Sequence, residues 1–205
     1  MSTSTLLTVD PGRTALVIID MQNDFCKPGG TRYGSESISD AGIARAARLL
    51  GRCREAGVKV IFVESIRDPD SPDFTRFKLS PMLMRGSWGA KYVEELRRRP
   101  GEPVVEKNTN DCFYETSMDV LLAKLGISPE THKIIVMGIA ANVCVYHAIM
   151  GFHVRHYEQL VAIDCCFGSP EGVRILEAQC RCPGYSYNVA AVNSEAIKFR
   201  SVVTA

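Results

Sequence analysis

A chain of 205 residues with 46% hydrophobic and 23% charged content has enough apolar material for one folded α/β domain, spanning residues 1–205, and too much for a disordered segment. A formal net charge of +1 gives no global field to draw nucleic acid, and no run approaches the roughly 18 apolar residues of a membrane span. The opening residues MSTSTLLTVDPGRT carry no basic start and no long apolar stretch, so no secretory leader is expected and the eight cysteines are read as free thiols of a cytoplasmic protein.

Residues 13–19 end in the apolar run TALVII and read as a buried parallel strand. Residues 37–56 repeat apolar side chains at helical spacing (Ile38, Ala41, Ile43, Ala44, Ala47, Leu49, Leu50), and Gly57 stops the helix. Residues 58–63, VKVIFV, form a second strand. Residues 68–87 are rich in Pro, Asp, Ser and Gly and long for a connection, the profile of a functional lid. Residues 91–98 read as a short helix whose dipole Arg97, Arg98 and Arg99 would complement.

A third strand, EPVVEK at 102–107, ends on a lysine. A helix over 116–125 follows, with Thr116 or Ser117 as its cap and Gly126 as its stop. The fourth strand is 132–137, and a turn over 138–143 leads into a helix over 144–156. A strand over 159–163, a helix over 170–179 and a strand over 188–192 complete the pattern. Six alternations of strand and helix specify a three-layer α-β-α fold around a six-stranded parallel sheet.

In such a fold ligands gather at the carboxyl ends of the strands. Three of those ends carry reactive groups: Asp20, Lys107, and Cys144 at the start of a helix. A thiol there faces the positive end of the dipole, a lysine lowers its pKa, and a carboxylate can take its proton. Taken singly, each has an ordinary reading as a cap, a solvated lysine or a packing thiol. Glu64 and Asp164 also stand at strand ends. The remaining cysteines show no C-x2-C and the histidines no H-x3-H, so no zinc site is expected.

Three blocks decide between these readings: ALVIIDMQNDF at 15–25, EKNTNDCF at 106–113 and IIVMGIAANVCV at 134–145. With them the chain resembles the isochorismatase-like cysteine hydrolases, which include nicotinamidases, N-carbamoylsarcosine amidohydrolases, ureidoacrylate hydrolases and biuret hydrolases. The likeness runs from about residue 14 to 192. It implies the isochorismatase-like, Rossmann-like fold, Asp20 as general base, Lys107 as charged activator and Cys144 as nucleophile. It also implies a cis Ile139–Ala140 peptide, an oxyanion hole from the amides of Ala140 and Cys144, and Phe25 and Ile139 at the substrate. Gln22, Trp88, Asn110 and Asp111 are further candidates for substrate contact. Trp88, the single tryptophan, reads equally as a pocket cap or as an anchor for its loop. The family's dimers and tetramers imply a homo-oligomer.

Two departures narrow the substrate. Nicotinamidases bind a metal through aspartate and histidine after the second strand, whereas residues 64–70 here, ESIRDPD, contain no histidine. No metal or other cofactor is therefore expected. Asp111 stands where relatives carry a small residue; facing inward, it would favour N–H donors or positive charge over a dianion, while Arg67 would favour a carboxylate. The expected reaction is hydrolysis of a C–N bond in a small amide, carbamoyl or ureido compound through a thioester. Vinyl-ether hydrolysis and a non-catalytic binding or redox-sensing role are the alternatives.

Overall fold

The structure, a computed structural model, describes residues 6–34, 38–184 and 186–200. In chain order these form β1 (Leu7–Val9), β2 (Thr14–Ile19), α1 (Asn23–Cys26), α2 (Asp40–Glu55), β3 (Lys59–Ser65), α3 (Pro72–Thr75), β4 (Val104–Lys107), α4 (Met118–Lys124), β5 (Lys133–Ile139), α5 (Tyr146–His153), β6 (Glu158–Phe167), α6 (Pro170–Cys180), β7 (Val189–Val192) and β8 (Ile197–Phe199). Six strands make one parallel sheet in the order β4-β3-β2-β5-β6-β7, the three-layer α/β fold expected from the alternation.

Strand β2 is buried along its whole length, as its unbroken apolar run requires of a strand covered on both faces. Alternate side chains supply two cores. Ala15, Val17 and Ile19 join the cluster holding Met118 and Leu122 of α4, Ile149 of α5 and Leu176 of α6. Leu16 and Ile18 join the opposite cluster with Ile43, Leu49 and Leu50 of α2. The strand order reverses between β2 and β5, so a crevice at their carboxyl ends is where this topology places a ligand.

Three local expectations are corrected. Residues 91–98 form no α-helix, only a 3-10 turn at Glu94–Leu96. The backbone there is spoken for: Lys91 O accepts from Asn23 N–H and Val93 N–H donates to Met21 O. The arginine run therefore caps no dipole. Arg97 O instead accepts from Arg54, Arg98 donates to Glu102 O, and Arg99 N–H donates to the Glu102 carboxylate. The helix start placed at residue 37 falls outside the described residues; α2 begins at Asp40, and Ser39 accepts the Gly42 N–H as its cap. Gly138 and Ile139, expected in a turn, belong to β5.

Four short elements carried no legible signal. Helices α1 and α3 are single turns, and β1 and β8 pair with each other as a separate two-stranded parallel sheet.

Candidate active site

Register brings the candidate residues to one level. Ile19 pairs with Val63 and with Gly138, and Ser65 pairs with Lys107. The residues just beyond β2, at the ends of β3 and β4, and after β5 thus share one edge of the sheet. Lys107 stands two strands away from Asp20, with Ser65 between them. The small Ser65 lets the lysine cross, and its Oγ accepts from Nζ at 2.7 Å on the way.

Asp20 leaves β2 with φ 51°, a left-handed conformation that short acidic side chains tolerate and bulkier residues rarely adopt. Its N–H still donates to Val63 O at 2.9 Å, so the turn begins without losing the ladder. The carboxylate lies 2.8 Å from Lys107 Nζ, and both side chains are wholly shielded from solvent. Lys107 also donates to Thr109 O at 3.0 Å and to Cys144 Sγ at 3.4 Å. The three groups named from the sequence therefore meet around one ammonium.

Cys144 is not the first helical residue. A π-helical turn over Ala141–Val145 precedes α5, with Ala140 as its cap, and Cys144 is the fourth residue of that turn. The Ile139–Ala140 peptide is cis. Sγ donates to Asn110 Oδ1 at 3.6 Å.

The electrostatics correct one expectation. Lys107 does pull the thiol pKa down, but burial and the neighbouring Asp20 carboxylate outweigh it, and the Cys144 thiol is pushed up to about 12. Burial works against the charge on Lys107 too, yet Asp20 and Cys144 together raise its pKa. The thiol therefore rests neutral beside the Lys107 ammonium.

The remaining candidates separate. Gln22 is fully buried and spends its carboxamide on the main chain: Nε2 donates to Ser65 O and Ala90 O, and Oε1 accepts the Ser65 N–H. It ties loops together and has no free group for a substrate. Asp111 uses its carboxylate locally, accepting the Phe113 N–H at 2.7 Å to close a turn. Arg67 is paired with Asp73 at 2.6 Å and donates to the carbonyls of Ile66 and Lys107, so its charge is already answered. Trp88 is 51% exposed, and its carbonyl accepts from Asn23 Nδ2. Phe25 is half-buried against the cluster that holds the fully buried Ile139 and the buried Ala140. Asn110 is exposed and, as the Sγ contact shows, is the substrate-contact candidate that touches the thiol.

A cleft of about 520 Å³ is lined by Arg67, Asp73, Phe77, Asn108, Thr109 and Tyr114. Among the described residues, no three His, Cys, Asp or Glu side chains converge as a metal site.

A family profile described as the isochorismatase domain matches residues 14–173, most of the chain and all three positions of this cluster. The chain belongs to the isochorismatase family. Within that family, the ureidoacrylate amidohydrolase RutB of Pseudomonas syringae pv. syringae (strain B728a) is 31% identical over 188 residues, covering 80% of this chain and 75% of that protein. An isochorismatase family protein from Desulfovibrio vulgaris subsp. vulgaris str. Hildenborough superposes with a TM-score of 0.77 at 25% identity, over 90% of this chain and 95% of that one. The N-carbamoylsarcosine amidase of Thermoplasma acidophilum shares the fold, with a TM-score of 0.71 at 24% identity over 89% and 97%.

Two residues of this family member's site escaped the sequence reading. Ser65 carried a usable signal, since it ends a strand adjacent to the one that ends on Lys107. Tyr92 carried none: its hydroxyl reaches Val63 O at 2.7 Å and Ile18 O at 2.9 Å from a segment read as helix.

Proposed function

We propose that this protein is a cysteine amidohydrolase that cleaves a C–N bond in a small amide, carbamoyl or ureido compound. The observation that carries the reading is the sealed cluster of Asp20, Lys107 and Cys144, with the ion pair at 2.8 Å and the thiol 3.4 Å from the shared ammonium. The relatives named as ureidoacrylate amidohydrolases support the substrate class.

With the thiol neutral at rest, attack and deprotonation occur together. Cys144 Sγ bonds to the carbonyl carbon while its proton passes to Asp20, and Lys107 compensates the charge moving through the cluster. The amides of Ala140 and Cys144 hold the oxyanion. As the C–N bond breaks, Asp20 returns the proton to the departing nitrogen. Water then attacks the thioester, giving a proton to Asp20. The S–C bond breaks and the thiol recovers its proton.

Ammonia release across 3-ureidoacrylate, N-carbamoylglycine, biuret and aromatic amides tests the reading, with intact-mass detection of an adduct on Cys144. Turnover abolished in Cys144→Ala and an acyl mass on the wild-type thiol are the expected results. Full turnover by Cys144→Ala on the best substrate would sink the proposal and favour a thiol-independent hydrolysis.

A further inference from the structure

We propose that Asn110 selects the substrate class, by accepting a hydrogen bond from the terminal NH2 on the carbonyl that Cys144 attacks. The inference rests on the hydrolytic reading above and names what that reading leaves open: a primary carbamoyl or ureido end, –CO–NH2, rather than an ester, a vinyl ether or a tertiary amide.

Two side chains hydrogen-bond to Sγ, and they differ in access. Lys107 is sealed, as is Asp20 behind it, whereas Asn110 is exposed. Cys144 itself is only 7% exposed. A molecule arriving from solvent at Sγ therefore comes up against the Asn110 carboxamide, and the contact it displaces is the 3.6 Å bond from Sγ to Oδ1.

The backbone on either side of Asn110 is held in place. Lys107 Nζ fixes Thr109 O on one side of Asn110. On the other, Asp111 N–H donates to Thr109 Oγ1 and Phe113 N–H donates to Asp111 Oδ1. The loop so closed carries Asn110 beside the thiol, and the Sγ contact turns its acceptor Oδ1 toward the attacking atom.

When the thiol turns its proton toward Asp20 to react, Oδ1 loses its donor. A substrate N–H on the attacked carbonyl replaces that donor in the same place, so the acceptor stays satisfied through the step. A substrate without a terminal N–H makes no such bond and forfeits what it contributes. The discrimination is then the worth of that one hydrogen bond.

The test compares wild type and Asn110→Ala on three probes: the fastest ureido substrate of the panel above, its N′,N′-dimethyl analogue, and p-nitrophenyl acetate. Wild type is expected to prefer the parent ureido compound over the dimethyl analogue. In Asn110→Ala, kcat/KM for the parent is expected to fall about tenfold, the scale of one neutral hydrogen bond, with the ester rate kept and the preference collapsed. An equal loss on all three probes assigns Asn110 a merely structural role and overturns the proposal. So does an unchanged preference. If wild type releases ammonia from no member of the panel, the hydrolytic reading itself has failed.

Discussion

The ammonium of Lys107 is the centre to which carboxylate, hydroxyl, carbonyl and thiol all point, and its loss should be felt in two ways. Removing one partner of a buried ion pair strands the other charge, a cost of about 3–5 kcal/mol. Lys107→Met is therefore expected to lower the urea midpoint markedly as well as to abolish turnover. The thiol offers a finer readout. Asp20 raises its pKa and Lys107 lowers it, so the two variants move it in opposite directions. At pH 8, iodoacetamide should label Cys144 faster in Asp20→Asn than in wild type, and slower in Lys107→Met. Asp20→Asn should nevertheless lose turnover, because its more reactive thiol has no base to deliver a proton to the leaving nitrogen. Equal labelling rates across the three proteins would contradict the charge arrangement.

At the scale of elements, the site depends on how closely β5 approaches β2. Gly138 has φ 141°, and a Cβ there would stand 2.1 Å from Ile19 O, immediately before Asp20. Gly138→Ala combines overpacking with backbone strain, and a loss of roughly 2–4 kcal/mol in chemical denaturation is expected. Two loops are tied together by Asp24, whose carboxylate accepts the N–H groups of Thr31 and Leu83 and packs against Gly89. Asp24→Ala strands those donors at a cost of about 2–4 kcal/mol and should speed proteolysis between residues 68 and 88. These dependences also mark what the sequence made legible. Asp20, Lys107 and Cys144 could be read because period-2 and buried-run patterns mark where strands end, and three motif blocks tie those ends together. Asp24, Gln22 and Tyr92 could not, because all but one of their side-chain partners are main-chain atoms 29 to 74 residues away. Lys91 to Arg98 misled for the same reason: Val93 and Leu96 are buried at helical spacing, but tertiary pairing claims the backbone.

Across the whole molecule, seven of the eight cysteines are buried, and all eight are free. Burial raises Cys26, Cys53 and Cys165 to about 12 and Cys180 to about 11. A thiol whose folded pKa lies above its unfolded value holds its proton more tightly in the native state. Its contribution is fully present below the ordinary value of 9.0 and is lost as pH rises toward the folded value. The melting temperature should therefore fall progressively above about pH 9, and less steeply in Cys53→Ala measured against its own value at neutral pH. Equal slopes in the two proteins would remove Cys53 from that account.

The small β1–β8 sheet has a consequence in time. Leu7 pairs with Ile197 and Val9 with Phe199, so β1 finds its partner only after the whole six-stranded sheet has intervened in the chain. Until then its edge is open, and the Ile197 side chain that joins the α2-side core is missing. A chain truncated after residue 193 keeps all six strands of the main sheet yet leaves the edge of β1 bare. The ribbon thus closes only once residues 197–199 are free to pair.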